Sequence, residues 1–166
     1  MRSASIELPD AAATTAAGER AASGLVGGMV ITLAGDLGAG KTTLVRGMLR
    51  GLGWTRSVKS PTYALVEHYP FSNLYFYHFD FYRFTEPSEW ETAGLSECFD
   101  GRSVCVVEWP EHVRGMLPVA DLALTLTLPL LPDARQDGRL LAAVAQTEPG
   151  ERCLAAILSG TSGSPG

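Results

Sequence analysis

Residues 35–47 read GDLGAGKTTLVRG and follow directly after the apolar run MVITLA, residues 29–34. The stretch fits the pattern G-x-x-x-x-G-K-[ST] at every position. Its defining residues are Gly35, Gly40, Lys41 and Thr42. Glycines let a backbone turn tightly and bring its N–H groups onto phosphate oxygens, where a Cβ would clash. The stretch therefore predicts a nucleotide-binding P-loop.

The predicted elements on either side of the loop support this interpretation. A helix that begins near Lys41 would present its positive N-terminal end to phosphate groups. Lys41 is suited to bridge the outer phosphates, and the hydroxyl of Thr42 to ligate Mg²⁺. The alternative is a glycine-rich turn with an exposed lysine, and the flanking strand and helix argue against it.

Apolar periodicity predicts helices and strands that alternate along the chain. Helices are predicted over 10–24 and 41–50, the second with one apolar face. Strands are predicted over 29–34, 63–69, 74–81, 104–109, 122–128 and 139–145. Ser88 and Glu91 fit a capping box at the start of a short helix that ends at Gly94.

These elements predict the α/β fold class. The expected architecture is a single P-loop NTPase-like domain with a mixed β-sheet flanked by helices. We expect this domain to span residues 1–158 and a flexible tail, SGTSGSPG, to cover 159–166.

Composition limits the classes of function. The chain has 166 residues, 46% of them apolar, which is enough for one buried core. The net charge is −5 and only two residues are lysines, so a role on RNA would need partners. The apolar runs are far shorter than the ~20 residues that span a bilayer, and no signal peptide is evident. Three cysteines without ligand spacing predict free thiols and a cytoplasmic location.

Two acids at the ends of predicted strands are candidates to complete the site. Asp80 lies near the end of YFYHFDFYR, on the same face as His78, and Glu108 ends VCVVE. A carboxylate at the C-terminal end of a buried strand lies where open α/β sheets bind ligands. Each acid has an alternative role as a solvated strand end or a helix cap. For His78 a structural role is favoured.

The segment SPTY, residues 60–63, is a third candidate feature. Pro61 favours an extended Ser60, so that a loop could present Thr62. In other P-loop proteins a loop threonine senses the γ-phosphate and Mg²⁺. From the residues alone, a plain turn into a strand is favoured.

Four segments together resemble one family, in order and in spacing. GDLGAGKTTLVRG, VKSPTYALVEHY, YHFDFYR and VEWPE are similar to the TsaE family, and the resemblance runs from about residue 8 to residue 144. These are small bacterial P-loop ATPases of tRNA threonylcarbamoyladenosine biosynthesis. The resemblance implies a cytoplasmic ATPase, away from membranes, that works with the TsaB and TsaD proteins and meets tRNA only through that complex. TsaD would transfer the threonylcarbamoyl group to the adenosine beside the anticodon, while ATP hydrolysis lets the assembly turn over.

The resemblance also implies roles for individual residues. It makes Thr62 a switch residue, which reverses the interpretation from the residues alone. The implied catalytic residues are Lys41, Asp80 and Glu108. The implied Mg²⁺ ligands are Thr42, Asp80 and Glu108. The implied nucleotide contacts are Asp36, Leu37, Gly38, Ala39, Gly40, Lys41, Thr42, Thr43, Thr62, Thr14 and Arg139.

Several alternatives remain open from the sequence. Either Asp80 or Glu108 orients the attacking water, and either Arg135 or Arg139 contacts the base. ATP is favoured because no N-K-x-D motif that selects guanine is visible. A small-molecule kinase is disfavoured because Arg135 and Arg139 are too few for an arginine-rich lid. A nucleotide-dependent binding switch with negligible hydrolysis shares every motif.

Overall fold

A mixed sheet of seven strands organises the chain. The computed structural model describes residues 1–61, 65–129 and 138–160. Within them, the strands are β1 Arg2–Leu8, β2 Val30–Ala34, β3 Val66–Pro70, β4 Tyr75–Asp80, β5 Val104–Glu108, β6 Leu122–Thr127 and β7 Arg139–Ala145. The α-helices are α1 Ala11–Ala22, α2 Lys41–Gly51, α3 Glu89–Thr92 and α4 Glu148–Leu158. Short 3₁₀ turns at Leu95–Cys98 and Pro110–Val113 flank β5.

Strand order places β2 and β5 in the middle of the sheet. The order is β1-β7-β6-β2-β5-β4-β3. β2 runs parallel to β5 and to β6, and β4 runs parallel to β5, whereas the other neighbours are antiparallel. The P-loop follows β2, so it lies at the C-terminal edge of the parallel strands, where such sheets bind ligands. The predicted α/β fold with a mixed sheet is confirmed.

Two apolar clusters cover the two faces of the sheet. On one face α1, α2 and α4 contribute to the larger cluster, which includes Ile31, Leu44 and Met48. On the other face aromatic side chains dominate, with Phe79 and Phe81 fully buried. β5 contributes to both clusters, as its continuous apolar run predicts.

Helices α1 and α2 approach each other closely through glycines. A Cβ on Gly18 would lie 2.3 Å from the carbonyl oxygen of Leu44, and a Cβ on Gly47 would lie 2.2 Å from that of Thr15. Both distances are far below van der Waals contact, so side chains at these positions would separate the helices. The close approach fixes α2, which begins at the P-loop, against α1.

Most of the predicted elements occur, with several corrections at their ends. The strand predicted over 63–69 is seen from Val66, and residues 62–64 lie outside the described residues. The strand predicted over 122–128 ends at Thr127, and Leu128 after it is 51% exposed. Only Ser159 and Gly160 of the predicted tail fall within the described residues, so its flexibility remains a prediction.

The capping box predicted at Ser88 is wrong. The side chain of Ser88 makes no cap hydrogen bond, because its backbone is helical (φ −64°, ψ −23°) rather than extended. Its carbonyl instead accepts hydrogen bonds from the N–H and the hydroxyl of Thr92. Gly94, in the left-handed region at φ 66°, follows the helix as predicted.

Two terminal elements, β1 and α4, are additional to the predicted ones. β1 pairs with β7 at one edge of the sheet, and Thr147 caps α4 by accepting a hydrogen bond from Gly150 N–H. The three cysteines are free thiols, as predicted. Across the described ranges, the longest apolar helices fall short of the length and hydropathy of a membrane span.

Candidate nucleotide site

The P-loop has a positive φ at three glycines, Gly35, Gly38 and Gly40. Gly35 has φ 144°, and a Cβ there would lie 2.5 Å from the carbonyl oxygen of Leu126. Gly40 has φ 99° and forms the N-cap of α2 without a side-chain cap hydrogen bond. The first-turn N–H groups and the positive end of α2 are therefore available to an anionic ligand.

Lys41 is held inside this loop. It is 6% exposed, and its Nζ donates hydrogen bonds to the carbonyl oxygens of Gly35 and of Asp36, the latter at 3.4 Å. The same Nζ lies 4.1 Å from the ring centroid of Trp109, a cation–π contact. The ammonium is thus poised among carbonyl dipoles and a π face, which phosphate oxygens would replace as stronger partners.

Trp109 reaches Lys41 through an unusual backbone conformation. Among the described residues, Trp109 alone combines a side chain with a positive φ, which is 57°. Large side chains rarely adopt this region, so the surrounding contacts must hold it. Its ring lies 5.0 Å from that of Tyr82 and 5.5 Å from that of His112, centroid to centroid. This contact was not predicted from the sequence; the position of Trp109 directly after Glu108 is the signal that points to it.

Asp80 and Glu108 come together at the ends of adjacent strands. They face each other in the parallel register of β4 and β5. Burial raises the pKa of Asp80; the hydrogen bond from Tyr82 N–H opposes the rise, and the charge of Glu108 adds to it. Burial lowers the pKa of Lys41, and the charges of Glu108 and Asp80 oppose that change. A divalent cation beside the two carboxylates would relieve their mutual repulsion.

The segment before Thr62 reaches the P-loop. The hydroxyls of Thr42 and Ser60 are 2.6 Å apart, and Pro61 is buried next to them. A cleft of about 650 Å³ opens here, and its walls include Leu37, Ser60 and Asp80. Thr62 itself lies outside the described residues, so its switch role remains a prediction. The contact from Ser60 was not predicted, although SPTY was singled out.

His78 bonds directly to one of the predicted acids. Its Nε2 lies 2.5 Å from Glu108 Oε2, and the two side chains are 0% and 3% exposed. The Nδ1 atom of His78 is buried and has no hydrogen-bond partner among the described residues. A structural role, as favoured for this histidine, therefore explains the hydrogen bond of Nε2 but not the unpaired Nδ1.

Two of the implied nucleotide contacts, Arg139 and Thr14, lie against the loop itself. Arg139 Nε donates to Ala39 O at 3.0 Å, and Nη2 donates to Gly38 O at 3.1 Å. Thr14 is buried in α1, and its Cγ2 would lie 3.8 Å from a Cβ on Gly40. Contacts of either residue with the base remain predictions, and Arg135 lies outside the described residues.

Replacing Arg139 with methionine is expected to weaken ATP binding about tenfold. The substitution removes the two charged hydrogen bonds to the loop carbonyls of Gly38 and Ala39, and with them about 1.5 kcal/mol of binding free energy. Calorimetric titration with Mg·ATP measures the effect. Inorganic tripolyphosphate, which has no base, should lose affinity equally if Arg139 acts on the loop. Unchanged tripolyphosphate affinity would instead favour a contact with the base. Arg152→Met, which alters an exposed arginine paired with Glu148, is the matched control.

Comparisons with known proteins identify the family of this chain. The family model described as "Threonylcarbamoyl adenosine biosynthesis protein TsaE" matches residues 8–135. A curated relative from Haemophilus influenzae, named tRNA threonylcarbamoyladenosine biosynthesis protein TsaE, is 43% identical over 129 residues, which is 78% of each chain. A relative of the same name from Bacillus subtilis is 46% identical over 99 residues, which is 60% of this chain and 61% of the relative.

A solved structure agrees with the sequence comparisons. The crystal structure of YdiB from Bacillus subtilis superposes with a TM-score of 0.76 and 31% identity, covering 94% of both chains. The family match includes the P-loop, Asp80 and Glu108. This chain therefore belongs to the TsaE family of threonylcarbamoyl adenosine biosynthesis proteins.

Proposed function

We propose that this chain binds ATP with Mg²⁺ and hydrolyses it to drive the turnover of the tRNA-modifying assembly. The observation that carries the proposal is the convergence of Lys41, Asp80 and Glu108 around the uncapped N-terminus of α2. A lysine, a helix N-terminus and two strand-end acids are the groups that P-loop hydrolysis requires. The role in threonylcarbamoyladenosine biosynthesis follows from the family.

Each group at the site has a separate role in the proposed hydrolysis. Loop N–H groups over 35–41 and the ammonium of Lys41 hold the phosphates and stabilise charge that develops on them. Thr42, Asp80 and Glu108 would hold Mg²⁺, a hard cation that prefers oxygen ligands and tolerates few from the protein. When bound, Mg²⁺ neutralises phosphate charge. Asp80 or Glu108 orients the water that attacks the γ-phosphate.

The partners proposed for this chain are the TsaB and TsaD proteins. A net charge of −5 disfavours independent binding to a polyanion, so we propose that tRNA is met only through the complex. We further propose a cytoplasmic location, since the tRNA substrate and ATP are found there. The ATPase domain proposed is residues 1–158, with 159–166 as a flexible tail.

A nucleotide-dependent switch is the second candidate function. The hydrogen bond between Thr42 and Ser60 favours it, because it links the P-loop to the segment that leads to Thr62. A ligand at Thr42 would compete for this hydroxyl and so release or reorder that segment. Hydrolysis and switching share every residue, and turnover alone separates them.

The test is Mg²⁺-dependent ATP hydrolysis by the purified chain, alone and with TsaB and TsaD. We expect slow hydrolysis alone and clear stimulation by both partners together, abolished by chelation of Mg²⁺. TsaB alone is the control for nonspecific stimulation. Binding of ATP without hydrolysis under any condition would refute the turnover role and favour the switch.

A further inference from the structure

His78 lies on β4, and its side chain reaches Glu108 at the end of the neighbouring strand β5. In the register of β4 and β5, Asp80 is opposite Glu108, and His78 is opposite Val106. His78 and Asp80 are two residues apart, so both side chains leave the same face of β4. The ring of His78 therefore leans along the strand direction to contact the carboxylate of Glu108 from inside the core.

A carboxylate as deeply buried as that of Glu108 requires a partner. Transfer of an ion from water into a protein interior is unfavourable unless hydrogen bonds or charges compensate. The hydrogen bond from His78 Nε2 to Oε2 provides such a partner at 2.5 Å. Since a carboxylate is planar, holding Oε2 also fixes where Oε1 lies.

The contact leaves one ring nitrogen of His78 without a partner. A carboxylate oxygen accepts, so Nε2 is the nitrogen that donates to Oε2. The other nitrogen, Nδ1, is buried without a partner among the described residues. An unpaired buried polar atom is unfavourable. His78 lies on the same face of β4 as Phe76, which is fully buried. If position 78 served only the core, an apolar side chain would suit it better than an imidazole.

We propose that His78 is a positioning residue that orients the carboxylate of Glu108 for ATP hydrolysis. This inference rests on the proposed ATPase function and deepens it. His78 touches neither the phosphates nor the water in this scheme; it acts by restricting rotation of the Glu108 side chain. Groups that position metal or catalytic ligands in this way typically contribute 10- to 100-fold to activity or affinity.

The experiment compares His78→Leu and His78→Gln in the partner-stimulated ATPase assay. Leucine removes the donor, so kcat should fall about 10- to 100-fold while KM and the dissociation constant for ATP change little. Glutamine places an amide N–H near the position of Nε2 and should recover most of the loss. In a Glu108→Gln background, His78→Leu should cause little further loss, because its effect passes through Glu108.

Phe79→Leu is the matched control for a large-to-small change on β4. Its side chain is fully buried in the other cluster, so it should lower stability without lowering kcat. Thermal unfolding shows which variants fold, and His78→Gln keeps the test decisive if His78→Leu does not. A wild-type kcat in folded His78→Leu, or equal losses in His78→Leu and His78→Gln, would overturn the positioning role alone. Absence of turnover in the wild-type chain with both partners would overturn the ATPase function, and this inference with it.

Discussion

Replacing Lys41 with alanine is expected to abolish tight ATP binding. The ammonium of Lys41 already lies among the loop carbonyls of Gly35 and Asp36, where it can turn to phosphate oxygens with little rearrangement. Loss of a charged donor to the phosphates should raise the dissociation constant about 100-fold, or about 3 kcal/mol. Titration calorimetry with Mg·ATP measures this directly. The mutant should fold, because burial disfavours the charged form of Lys41, as its lowered pKa indicates.

Arg50→Ala provides the matched control. It removes one positive charge from the opposite end of α2, about 13 Å further along the helix, and Arg50 is exposed. Its ATP affinity should equal that of the wild type. If Lys41→Ala folds and binds ATP as tightly as Arg50→Ala, the P-loop interpretation is refuted.

The parallel core of the fold was predictable because its determinants are local. MVITLA and VCVVE are continuous apolar runs, and such runs form strands buried on both faces. The apolar face at Leu44, Val45, Met48 and Leu49 predicted α2, and all four side chains are buried. The strands predicted over 63–69 and 74–81 pair as the antiparallel β3–β4 hairpin, which turns at PFSN, residues 70–73.

The terminal elements were missed for physical reasons. β1 reads RSASIEL, whose alternation is weak because small serines and alanine occupy its exposed end. It becomes a strand through pairing with β7, a partner more than 130 residues distant that local propensity cannot report. Helix α4 has a local start signal, because Thr147 caps it and a proline lies in its first turn, but both residues also suit a turn after β7.

The candidate site divides in the same way. Gly35, Gly40 and Lys41 belong to one continuous motif, so their roles follow from spacing alone. The contacts of Ser60 with Thr42 and of His78 with Glu108 join residues 18 and 30 positions apart, and they depend on strand order. Residue spacing alone does not determine that order, since it is set by how the whole sheet packs.

Replacing Glu108 with alanine is expected to spare ATP binding and remove hydrolysis. The carboxylate lies at the end of β5, opposite Asp80 and close enough to Lys41 to shift its pKa. If it acts mainly in the transition state, kcat should fall about 100- to 1000-fold while the dissociation constant for Mg·ATP changes little. Stimulated hydrolysis and calorimetry on the same preparation separate the two effects.

Two further variants decide what the carboxylate of Glu108 contributes. Glu108→Gln retains an oxygen that accepts from His78 Nε2, so it removes the charge while keeping the buried hydrogen bond. Glu111→Ala removes an exposed carboxylate three residues away whose charge also acts on Lys41, so it should lower kcat far less than Glu108→Gln if position, and not charge alone, matters. Loss of Mg·ATP affinity in Glu108→Gln, with metal-free ATP affinity retained, would make Glu108 primarily a metal ligand. Asp80 would then be the acid that orients water, because it is the other carboxylate at this edge of the sheet.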